Sequence, residues 1–157
     1  MILLRDKEKA LIIYFSRTGN TQKVASEIAK VLSKKFEVII KTPERVLTKD
    51  LSESKLLIIG TPVHKAAPAK PIKQFLEKLP RLENKKAIIY CTYTLHGDKR
   101  TLGIMRKFLE EKGVKVIGKF SVIGAFRIGI ITLKKGRPSE EDLRRVRDYV
   151  RQIIASL

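Results

Sequence analysis

The chain has 157 residues with 34 Lys and Arg against 16 Asp and Glu, a formal net charge of +18. A chain of that length buries about 68–70% of the surface it exposes when unfolded, and its one cysteine and two widely separated histidines exclude a disulfide framework and a local zinc motif. Its apolar runs fall short of the roughly 20 residues of a membrane span, and residues 1–9, mostly charged after Leu4, carry no leader pattern, so a single soluble domain over residues 1–157 in a reducing cytoplasm is expected.

Residues 10–15 (ALIIYF) form an unbroken apolar run and read as the first strand. Val24, Ile28, Val31 and Leu32, with Ala25 and Ala29 beside them, then share one face at helical spacing. Residues 36–40 (FEVII) read as the second strand, and 42–54 show no clear period beyond a short helix at 46–51. The third strand is 56–60 (LLIIG), followed by a helix with Ile72, Phe75, Leu76 and Leu79 in its stripe. The fourth is 87–93 (AIIYCTY), which makes Cys91 an inert core thiol, and Leu102, Met105, Phe108 and Leu109 mark the next helix. The fifth is 114–122 (VKVIGKFSV). Residues 123–133 (IGAFRIGIITL) have four open readings: a strand extension, a core-packed loop, a cover over a ligand edge, or a dimer contact. Pro138 and Ser139 precede Glu140, Glu141 and Asp142 at the start of a last helix striped by Leu143, Val146, Val150, Ile153, Ile154 and Leu157.

The first, third and fourth runs are continuously apolar, as in parallel strands covered on both faces. Strand and helix alternate throughout, which gives an α/β fold with three layers around a doubly wound five-stranded parallel sheet. In such a sheet ligands bind outside the carboxyl ends of the strands, near the reversal of strand order. Three polar loops fall there: 16–21 (SRTGNT), 61–66 (TPVHKA) and 94–98 (TLHGD). The first sets three hydroxyls, an amide and a glycine directly before a helix, where backbone N–H groups favour an anion and Gly19 permits close approach. It lacks the Gly-Lys-Ser/Thr ending of a triphosphate loop and the G-x-G-x-x-G of a dinucleotide site. One terminal monophosphate suits it.

The stretch IIYFSRTGNTQKVASEIAKVL resembles the flavodoxin signature, S/T-x-T-G-x-T after the first strand. GTPVHKAAPAKPIKQFLEKL and GRPSEEDLRRV are similar to the third and last units of that family, so the resemblance spans nearly the whole chain. It implies a flavodoxin-like strand order of 2-1-3-4-5 and flavin mononucleotide (FMN) as cofactor. Ser16, Arg17, Thr18, Gly19, Asn20 and Thr21 would then bind its phosphate. Thr61, Pro62, Val63 and His64 would flank the isoalloxazine on one side, and Thr92, Tyr93, Thr94, His96 and Gly97 on the other. Flavodoxins commonly stack an aromatic on each side of the ring; here there is no Trp, and Tyr93 or His96 is the stacking candidate.

The resemblance implies an electron-transfer flavodoxin in which the flavin carries the redox chemistry and no side chain is catalytic. An NAD(P)H- or quinone-dependent FMN oxidoreductase is the alternative, and a flavin-free basic module binding nucleic acid or protein is the third. Positive charge attracts anionic partners without choosing among them; the partners expected with the flavin readings are an acidic, ferredoxin-like redox protein or NAD(P)H. Nucleic acid ranks behind these, since no helix-turn-helix, aromatic RNA-binding motif or zinc finger accompanies the charge. A homo-oligomer is left open. The arginines of the last helix (Arg144, Arg145, Arg147, Arg151) read as a solvated face or as a docking surface for an acidic partner.

Overall fold

Strands whose side chains are apolar on both faces must be covered on both faces, and this requirement organises the molecule. The computed structural model describes residues 7–157; residues 1–6, which belong to the segment expected to carry no leader, lie outside the described residues. The elements run β1 (Lys9–Tyr14), α1 (Asn20–Leu32), β2 (Glu37–Lys41), a 3-10 turn (Pro43–Arg45), α2 (Thr48–Glu53), β3 (Ser54–His64), β4 (Ala67–Pro68), α3 (Lys70–Glu77), β5 (Lys86–Tyr93), α4 (Asp98–Glu111), β6 (Lys115–Ile123), β7 (Phe126–Ile128), β8 (Ile131–Leu133) and α5 (Glu140–Ala155). The sheet order is β2-β1-β3-β5-β6 with every neighbouring pair parallel, which is the expected 2-1-3-4-5 counted over the five long strands.

The two-residue side-chain period splits the core into two layers. Ala10, Ile12, Leu56, Ile58, Ile88 and Tyr90 face α1 and α5. Leu11, Ile13, Leu57, Ile59, Ile89 and Cys91 face the opposite layer, built on α3 and α4 with Leu51 of α2. Cys91 is fully buried, and burial lifts its thiol far above the reactive range. No helix among the described residues is long and apolar enough to cross a membrane.

Three local expectations change, and the open segment 123–133 takes a definite form. β3 runs past Gly60 to His64, because Val63 and His64 pair antiparallel with Pro68 and Ala67 of β4. The two-residue turn between them holds Lys65 and Ala66 at φ 51° and 59°, the positive-φ geometry that suits a tight hairpin. Leu79 lies beyond the end of α3 yet is buried, and Leu157 is 41% exposed rather than part of the α5 stripe. The short helix expected at 46–51 forms at Thr48–Glu53. Residues 123–133 end β6 and then leave the body as the β7–β8 hairpin.

The start of α5 is a reciprocal cap. Ser139 Oγ accepts from the Asp142 N–H (3.2 Å), and the Ser139 N–H donates to Asp142 Oδ2 (2.7 Å). Arg137 Nη2 donates to Asp142 Oδ1 (2.8 Å), and chiefly this bond draws the buried carboxyl down from 3.8 to about 2. A depressed carboxylate contributes stability above its unfolded value that is lost as pH falls toward its folded one. Asp142→Asn is therefore expected to cost about 2 kcal/mol at pH 7. The same change should remove the site's share of the loss between pH 4 and 2, read from denaturant unfolding at each pH. An equal cost at pH 2 and pH 7 would show that the ion pair is not responsible.

Arginines on this helix are largely engaged within the protein. Arg147 pairs with Glu27 of α1 (2.9 Å) and with Glu140 (2.7 Å), while Arg145 and Arg151 pair with Glu141 and Asp148. The Arg147–Glu27 pair ties α5 to α1.

Candidate functional site

β1 ends at Tyr14, and the chain turns at Gly19, whose φ of 96° is unfavourable for a side chain, before entering α1. Ser16 Oγ accepts from the Gly19 N–H (3.1 Å) and closes the loop on itself. Lys23 is the first residue whose N–H reaches a carbonyl in the helical pattern, that of Gly19 (2.9 Å). The N–H groups of Asn20, Thr21 and Gln22 thus form the acceptor-free first turn, where anions are favoured.

Three further segments close around this turn. Thr21 Oγ1 lies 2.8 Å from Thr92 Oγ1 of β5, and the Tyr90 hydroxyl donates to the Thr21 carbonyl (2.9 Å). Asn20 Nδ2 donates to the Ala125 carbonyl (2.8 Å), and Thr94 Oγ1 to that of Gly124 (3.0 Å). A Cβ at Gly124 would collide with the Asn20 amide, which is held to the Ala125 carbonyl. The result is a cavity of about 410 Å³ outside the carboxyl ends of β1, β3 and β5. Arg17, Thr18 and Asn20 line one wall; Pro62, Val63, His64 and Lys65 line another; Thr92, Tyr93 and Thr94, with Ala125 and Phe126, complete it.

Nine of the fifteen expected site residues line this cavity: Arg17, Thr18, Asn20, Pro62, Val63, His64, Thr92, Tyr93 and Thr94. Ser16, Gly19 and Thr21 shape the loop behind it, and Thr21 is only 1% exposed, so its hydroxyl is committed to Thr92. Thr61 is buried with its Oγ1 accepting the Ala69 N–H (2.9 Å), a bond that holds β3 to the start of α3. His96 is exposed outside the lining, and Gly97 is the N-cap of α4, packed against Ala66. Lys65 belongs to the loop 61–66 expected at this end of the sheet, and Ala125 and Phe126 to the segment for which a cover over a ligand edge was one of four open readings. The signal available for the last two was their place, directly after the fifth long strand and hence at the same end of the sheet.

Among the described residues no carboxylate lines the cavity, whereas Arg17 and Lys65 do. Burial, and secondarily the Arg17 charge, hold His64 below its ordinary 6.5, and burial, with Asp98 next, pushes the Tyr93 phenol upward. In the ligand-free protein the His64 ring is therefore expected to be neutral at pH 7. Because the folded state resists a proton that the unfolded chain accepts, stability from this site falls as pH drops below 6.5. An NMR titration assigned with His64→Gln checks this, and a midpoint at or above 6.5 contradicts it.

The donor set fits a phosphate monoester carrying a planar ring. Acceptor-free N–H groups and Arg17 sit at one wall, while Pro62, Val63 and Tyr93 offer surfaces for the ring. The volume falls in the range of about 300–1,000 Å³ usual for small-molecule sites. A second hollow of about 380 Å³ between β6 and α5 is lined by Arg137 and Asp142, which already satisfy each other. Among the described residues no three His, Cys, Asp or Glu side chains are grouped to hold a metal ion.

Residues 11–133 match a family model described as Flavodoxin domain. An uncharacterised protein of Methanocaldococcus jannaschii is 31% identical over 153 residues, spanning 93% of this chain and 98% of that one. Among solved structures, a flavodoxin from the domain Archaea superposes with a TM-score of 0.76 at 18% identity, covering 94% of this chain and 97% of the other. The Fusobacterium nucleatum flavodoxin bound to flavin mononucleotide gives 0.72 at 16% identity, covering 95% and 98%.

Proposed function

The chain belongs to the flavodoxin family, and from that premise we propose that it binds FMN in the 410 Å³ cavity and serves as an electron carrier. The observation that carries the reading is the meeting, in one cavity, of an acceptor-free helix start with walls suited to a ring. The first turn of α1, with Thr18 and Arg17, holds the phosphate. Val63 and His64 lie along one side of the ring and Tyr93 along the other. Bound there, FMN supplies the electron-accepting and electron-donating chemistry. The chain's own contribution is position, exclusion of water and field.

The field has a direction. A chain of net charge +18 favours reduced flavin in its anionic form and raises the last reduction step relative to an acidic carrier. His64, held below its ordinary 6.5 chiefly by burial, is available to donate or accept a hydrogen bond at the ring edge. Lys65 and Arg17 at the rim favour an anionic partner, such as an acidic redox protein or NAD(P)H.

Titration of FMN and of riboflavin with the protein at about 0.15 M salt tests the proposal. One saturable site that quenches FMN, with riboflavin bound at least tenfold more weakly, is expected. Equal affinity for both flavins would remove the phosphate site, and loss of binding at that salt would reduce the attraction to generic charge.

A further inference from the structure

The β7–β8 hairpin buries little against the rest of the protein. Phe126, Ile128, Ile130 and Ile131 are 47, 57, 94 and 63% exposed. In its register Phe126 faces Leu133, Arg127 faces Thr132 and Ile128 faces Ile131. Directly opposed residues share a face and successive residues alternate, so Phe126, Ile128, Ile131 and Leu133 form one apolar face and Arg127 and Thr132 the other. Ile130 caps the tip beside Gly129, whose carbonyl accepts from Arg127 Nε (2.8 Å) and braces the turn. Residues 124–137 contain no acid, while Arg127 lies on the other face of the ribbon, Lys134 and Lys135 follow β8 at its base, and Arg17 and Lys65 line the cavity that Phe126 also lines.

An exposed apolar patch of this kind marks an interaction surface. Its shape and charge narrow the occupant. The tip is a narrow ribbon, too small to supply the roughly 1,000 Å² of a stable protein interface by itself. A second copy of a chain with net charge +18 is repelled. An anionic lipid surface, in contrast, accepts isolated apolar side chains into its acyl boundary and cations at its headgroups. We infer that the β7–β8 hairpin inserts its apolar tip into the interface of an anionic bilayer, with Arg127, Lys134 and Lys135 at the headgroups. Three-residue strands reach about 10 Å, so the chain lies on the bilayer and does not span it. Phe126 belongs to both hairpin and cavity, so insertion turns the cavity mouth toward the membrane. That consequence bears on the FMN reading; the insertion itself does not depend on it.

The chain has no Trp, so Ile130→Trp places a single indole reporter at the tip. With vesicles of phosphatidylglycerol and phosphatidylcholine in equal parts, at about 0.15 M salt, its emission is expected to shift to the blue and to be quenched by lipids brominated in the acyl chain. Wild-type protein should co-sediment with these vesicles and not with pure phosphatidylcholine. Ile128→Ser with Ile130→Ser, which leaves net charge and core untouched, should partition at least tenfold more weakly. Equal sedimentation of wild type and the double variant, with no blue shift, would mean adsorption by charge alone and overturn the inference. So would an equal shift with polyglutamate in place of vesicles, which would assign the hairpin to an acidic protein instead.

Discussion

Replacing Thr18 by Glu is expected to weaken FMN binding about 100-fold or more while leaving riboflavin binding unchanged. Thr18 is exposed and lines the cavity beside the acceptor-free first turn of α1. A carboxylate there faces the phosphate at short range. At an effective dielectric near 20, two like unit charges about 4 Å apart repel by about 4 kcal/mol. Partial exposure and salt reduce that figure, and a factor of 100 requires about 2.7 kcal/mol. Riboflavin carries no phosphate and escapes the penalty. Stability supplies an opposite sign: an acid just before a helix complements its dipole, so the apo variant should melt at the same temperature as wild type or slightly above it. Parallel flavin titrations and thermal melts read both quantities. Equal losses for FMN and riboflavin would place the phosphate elsewhere, and a large fall in melting temperature would mean that Thr18 supports the fold rather than the ligand.

Legibility in the sequence followed locality. β1, the loop and α1 are contiguous, and the apolar run, Gly19 and the helical stripe announce them together, so the elements that form this wall of the cavity were readable. The extension of β3 was not, because its partner is the pair Ala67–Pro68, reached through a turn at Lys65 and Ala66. Neither turn residue is a glycine or asparagine, so the usual signal for positive φ was missing. Thr21 shows a second limit. A hydroxyl in a phosphate loop reads as a ligand donor, but a threonine 71 residues away claims it. The hairpin shows a third: the apolar composition of 123–133 was plain, yet burial or exposure depended on whether the body had surface left to cover it. With both sheet layers already filled by helices, it had none.

The same coupling between fold and site makes Gly60→Ala the most damaging small substitution expected in this chain. Gly60 of β3 sits in register with Tyr90 of β5, and a Cβ on Gly60 would fall within the Tyr90 ring. The ring has little freedom to yield. It is fully buried, stacked on Phe120 at 5.4 Å and 9°, and anchored by its hydroxyl to the Thr21 carbonyl. Overpacking against so fixed a neighbour costs about 3 kcal/mol, which in a domain of this size lowers the melting temperature by about 6–12 °C. A thermal melt followed by circular dichroism measures it. The loss is expected to be non-additive: Tyr90→Leu clears the ring from the clash, so the double variant should be more stable than the sum of the single effects predicts. A neutral Gly60→Ala would show that β3 and β5 can separate locally at no cost. Because Tyr90 holds the first turn of α1 through Thr21, displacing the ring should also loosen the phosphate wall, and FMN affinity should fall along with stability. Thr18→Glu should break that correlation, losing FMN while keeping the fold, since its side chain faces the cavity and not the core.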